Sequence, residues 1–105
     1  MLRVVEIVEK NSYSLVCKFN NGIVKNLNIL PIIENHKHIN GVQNLLNESL
    51  FNKVRIGEFG EIVWDKIVIT NQNGIDIFWD YDISPEFAYE NSTLPLSQIS
   101  GQTLS

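Results

Sequence analysis

This chain is short of positive charge, cysteine and long apolar runs, and each shortage excludes something. Eight Lys and Arg stand against 12 Asp and Glu, for a net charge of −4 and a sequence pI near 5.0. Nucleic-acid binding needs a basic face for the phosphates, so that class is disfavoured, and Lys53 with Arg55 is too small a cluster to supply one. Cys17 is the only cysteine, so no disulfide can close within the chain, and a cytoplasmic, reducing setting is expected. No apolar run reaches the roughly 18 residues of a membrane span. The opening MLRVVEIVEK carries charges through its apolar residues, unlike a secretory signal. No glycine-rich phosphate loop, metal-ligand motif or nucleophile–base pair is present, and no cofactor is expected.

What remains describes a globular protein of 105 residues with 44% hydrophobic content, enough for one domain with its own core. Residues 2 to 10 are rich in Val and Ile and read as a first strand. Residues 13 to 19 alternate, with Tyr13, Leu15, Cys17 and Phe19 on one side and Ser14, Val16 and Lys18 on the other. Asn20-Asn21-Gly22 then signals a hairpin into a third strand, Ile23 to Ile29. Pro31 ends that strand and opens one helical turn, and Asn35 to Gly41 reads as a polar loop. Asn47 is positioned to cap a short helix over 47–52, with Leu50 and Phe51 under the sheet.

The densest run of β-branched and aromatic residues lies between Gly57 and Tyr89. Strands are expected at Val54–Glu58, Glu61–Trp64, Ile67–Thr70 and Ile75–Trp79. The last two flank a second hairpin signal, Asn71-Gln72-Asn73-Gly74. Ser84-Pro85-Glu86 is a helix start, with Phe87 and Tyr89 docking that helix to the sheet. From Asn91 the chain is poor in charge and reads as a tail, residues 91–105, whose Leu94, Leu96 and Ile99 suit an extended arm on a neighbour.

Several of these segments, in this order, resemble the domain of unknown function 2442 family of small bacterial proteins. They are Val4-Val5-Glu6, Phe19-Asn20-Asn21-Gly22, Leu30-Pro31-Ile32-Ile33-Glu34, the run from Glu48 to Ile56, Gly60 to Trp64, and Asp82 to Tyr89. The resemblance spans residues 2 to 89. Asp65 to Tyr81 departs from it, being longer than the family's connection and carrying its own hairpin signal. The resemblance implies a meander-and-helix fold and a bacterial cytoplasmic setting, with no established activity. Some members are encoded beside small toxin-like proteins.

The expected fold is α+β: a mainly antiparallel meander sheet of six or seven short strands, with one or two short helices on one face, in a single domain over residues 1–90. An open sheet has edges, so a homodimer through an edge strand or the tail is a further expectation.

The candidate site is the acidic, aromatic end of the chain. Trp79, Asp80, Tyr81, Asp82, Glu86 and Tyr89 suit a small basic protein partner, aromatics anchoring and carboxylates steering. The competing readings are a strand with one solvated face, which is the commoner origin of such a pattern, and a hard-cation site. The function expected is a non-enzymatic binding module, antitoxin-like or regulatory, with a small-ligand sensor or minor enzyme as the alternative. His36 and His38 share a side if extended, as two ligands of a transition metal would, but a polar surface loop explains them more simply. Cys17, on an apolar stripe, reads as a small core residue rather than a nucleophile.

Overall fold

A computed structural model describes residues 1–94 of the chain. It has two antiparallel three-stranded sheets and several short helices, an α+β architecture. The single six- or seven-stranded sheet expected from the sequence is therefore replaced by two smaller ones. The first is a meander of β1 (Val4–Asn11), β2 (Ser14–Phe19) and β3 (Val24–Asn28), in that order. The second is β4 (Arg55–Ile56), β5 (Ile62–Gln72) and β6 (Ile75–Ile83), also in sequence order.

Between the sheets lie α1 (Leu30–Asn35), a 3-10 segment (Val42–Leu46) and α2 (Glu48–Phe51), and after β6 comes α3 (Pro85–Glu90). The helical content exceeds the one or two helices expected. The 3-10 segment has no strong local signal and is held by burial of Val42 and Leu45. The caps follow the sequence: Asn47 Oδ1 accepts from Leu50 N–H at 3.3 Å, and Ser84 Oγ accepts from Phe87 N–H at 3.1 Å.

In β2 the alternation holds, with Leu15, Cys17 and Phe19 buried and Lys18 exposed. The turn before it places Tyr13 at φ 61°, an unfavourable angle for a residue with a Cβ. Two long-range contacts hold it there: Tyr13 O–H donates to Leu46 C=O at 2.7 Å, and its ring meets Phe51 edge-on at 5.9 Å.

Glu61–Trp64 and Ile67–Thr70, expected as two strands, form one strand, β5. A bulge at Asp65–Ile67 shifts the register between Trp64↔Tyr81 and Val68↔Trp79. Lys66 stands there at φ 55°, and its N–H donates to Asp80 Oδ1 at 3.0 Å. β6 likewise runs past Trp79 to Ile83.

One core joins the two sheets. Trp64 is its largest member, 1% exposed, with its indole N–H donating to Phe51 C=O at 2.9 Å. Around it sit Phe19, Leu15, Ile29, Leu45, Ile62 and Ile83. Val4 N–H bonds Gly60 C=O at 3.0 Å, tying the first sheet to the turn of the second. Ala88 and Tyr89 dock α3, Tyr89 meeting Phe19 edge-on at 5.0 Å. Phe87, expected to dock with them, is 41% exposed, because the inward face of α3 is Pro85, Ala88 and Tyr89, spaced i, i+3 and i+4, and position 87 lies off it. Thr93 pairs with Asn26 on the outer edge of β3, so the tail begins as a short bridge. Its expected anchors Leu96 and Ile99 lie outside the described residues.

Candidate functional site

The acidic, aromatic segment is mostly strand β6, and the period of two governs what its side chains can do together. Ile75, Ile77, Trp79, Tyr81 and Ile83 point to one face, while Asp76, Phe78, Asp80 and Asp82 point to the other. The first face is the core face. Ile83 and Tyr81 are buried at 4% and 6% exposure, and the same apolar stripe then continues outward to Trp79 at 51% and Ile75 at 67%. On β5 the partners of the outer part are Val68, Thr70 and Gln72, opposite Trp79, Ile77 and Ile75. Beyond Val68 and Tyr81 the hairpin is a two-stranded ribbon whose core face meets no core.

The ribbon is well formed despite its exposure. Asn73 and Gly74 make a two-residue turn, both at positive φ (54° and 82°), the pairing that matches strand twist. Asn71 Oδ1 accepts from Gly74 N–H at 3.2 Å, and its amide donates to Asp76 at 3.1 Å. Trp79 N–H donates to Thr70 Oγ1 at 2.8 Å, tying the indole to the neighbouring strand.

On the opposite face Arg55 grips Asp65 through a two-pronged pair of 2.9 and 2.7 Å, and those bonds hold the Asp65 carboxyl below its ordinary range. The same guanidinium reaches Asp80 only at 4.0 Å. Asp76 and Asp82 have no ion-pair partner among the described residues.

The six candidate residues are thus divided. Asp80 and Asp82 share a face, Trp79 lies on the other, and Tyr81 is turned into the protein. Glu86 is exposed on the first turn of α3. Tyr89 is half-buried against Phe19, with the Lys25 ammonium 4.1 Å above its ring.

Tyr81 belongs to an arrangement for which the sequence carries no signal. Its hydroxyl lies 2.5 Å from His36 Nδ1, across 45 residues of chain. Burial first, and then the neighbouring Asp82 charge, push the phenol up to about 12. The pair lines a shallow pocket of about 240 Å³ with Ile32, Asp82, Ser84 and Phe87. A second pocket of about 260 Å³ lies between Leu2, Phe59, Glu61 and Pro85 and shares the Asp82 and Ser84 walls.

His36 is therefore committed to Tyr81, with the His38 ring centre 6.3 Å away. No group of three or more His, Cys, Asp or Glu side chains capable of holding a metal occurs among the described residues. Cys17 is fully buried, and burial pushes its thiol up to about 12, the opposite of an activated nucleophile. No helix among the described residues is long and apolar enough to cross a membrane. No family model, curated protein or solved structure matches this chain.

Proposed function

We propose that this chain is a non-enzymatic protein-binding module resembling the domain of unknown function 2442 family, and that it grips a small basic protein as the antitoxin-like or regulatory half of a pair. The observation that carries the reading is the β5–β6 ribbon, where Ile75, Phe78 and Trp79 stay exposed on a hydrogen-bonded two-stranded element. Such a ribbon is marginal in water by itself and offers aromatic anchors at low entropic cost. The carboxylates of Asp76, Asp80 and Asp82 beside it favour a basic partner and speed its approach. The family assignment is supported by the order of its short segments from Val4 to Tyr89.

The test is a native pull-down from the host with intact mass on the eluate. A small, basic, stoichiometric companion is expected, and it should be lost with Trp79→Ser and with charge reversal at Asp80, Asp82 and Glu86. A companion retained by both variants would sink the proposal.

The pocket between His36, Tyr81 and Asp82 favours a second reading, a small-ligand sensor. A thermal-shift screen of metabolites checks it: a ligand of this pocket raises Tm in the native protein and not in Tyr81→Phe.

A further inference from the structure

We infer that the outer edge of β6 is a strand-addition site for an extended segment carrying basic residues at alternate positions; this rests on the binding-module reading above. β6 is the last strand of its sheet. Ile69 N–H points away from β6, bonding Asn40 C=O at 2.9 Å. The pair Ile69↔Phe78 is therefore one whose backbone groups face outward on both strands. By alternation the same holds for Asp76 and Asp80. Among the described residues none of these three outward N–H and C=O groups has a hydrogen-bond partner. Among the described residues the edge is an unpaired template.

The side chains beside those groups choose the occupant. An antiparallel strand laid on this edge sets its alternate residues next to Asp76, Phe78 and Asp80. Lysine or arginine there meets a carboxylate at either end, and its aliphatic stem covers the exposed Phe78 ring in the middle. A second copy of this chain is a poor occupant. Pairing of two β6 edges about Phe78 sets Asp76 of each copy opposite Asp80 of the other, like charges directly across a ladder. Backbone bonds then supply affinity, and the carboxylates specify charge and register.

The probe is a fluorescein-labelled peptide, Lys-Val-Lys-Val-Lys-Val-Lys, titrated onto the full chain by anisotropy. Its controls are a block isomer with the lysines first, a Glu-for-Lys version, and a version N-methylated at the lysines, whose amides face β6. Asp76→Lys combined with Asp80→Asn keeps the acceptor for Lys66 N–H. Saturable binding of the alternating peptide is expected, with slowed amide exchange at Phe78 and Asp80. The double variant should weaken it by about tenfold, the sum of the two cross-strand charge pairs it removes. The N-methylated and Glu versions should not bind. Equal binding of the block isomer or the methylated peptide would show charge attraction without strand addition and overturn the inference. So would no binding, or protection of these amides by self-association without peptide. If the host companion is captured through Trp79 while the peptide fails, the binding-module reading stands and the strand-addition mode falls.

Discussion

The hydroxyl of Tyr81 and Nδ1 of His36 meet at 2.5 Å where the ribbon enters the core. If the phenol is the donor in this contact, Nδ1 is the acceptor and the ring proton sits on Nε2. Nitrogen-15 NMR of His36 should show the Nε2–H tautomer near neutral pH. Tyr81→Phe should lose about 1 kcal/mol of stability in urea unfolding.

The two tryptophans should be spectroscopically distinct. Trp64 is 1% exposed and Trp79 is 51% exposed. Trp79→Phe should remove the red-shifted, acrylamide-quenchable emission and cost under about 1 kcal/mol, the usual range for a surface change. Trp64→Phe should remove the blue-shifted emission and cost about 2 kcal/mol or more, through a cavity and an unpaired Phe51 C=O.

Gly41 and Gly74 both have positive φ, at 100° and 82°, yet alanine should cost very different amounts. A Cβ at Gly41 would sit 2.0 Å from Ile67 C=O, against the β5 backbone, whereas one at Gly74 meets nothing within 4 Å. Gly74→Ala should lose about 1 kcal/mol from the left-handed angle alone. Gly41→Ala should lose ~3 kcal/mol or fail to fold, as for a strained position with a clash. Thermal melts of the two variants rank them.

Alkali should destabilise the fold through Cys17 and Tyr81. Both are raised in the folded protein, Cys17 from 9.0 to about 12 and Tyr81 from 10.0 to about 12. The unfolded chain therefore releases these protons first, so their contribution is complete below pH 9 and is lost progressively as pH rises toward about 12. Tm should fall over that window, less steeply in Cys17→Ala. The Cys17 thiol should also stay unreactive to a thiol-specific reagent at pH 8 until urea unfolds the protein.

Much of the local structure was legible because its causes are local. Leu15, Cys17 and Phe19 alternate with polar neighbours, Asn73-Gly74 accepts positive φ, and Asn47 and Ser84 carry side chains that cap the next turn. The division into two sheets is not legible, because nothing near Pro31 or Asn47 says whether later strands join the earlier sheet or begin another. The candidate residues look like one cluster in the sequence because they fall within eleven positions, while the strand period and the start of α3 distribute them over different faces.

Sequence alone therefore determined an acidic α+β protein of antiparallel hairpins with a buried, inert cysteine. These follow from charge balance, turn chemistry and side-chain period, which act over a few residues. Only the tertiary structure decided that β5 absorbs a bulge at Lys66, that Tyr81 turns inward to His36, and that the stripe from Ile83 to Ile75 outruns its core. Those outcomes depend on which distant surfaces are left to cover each apolar face, and that is settled by packing across the whole chain.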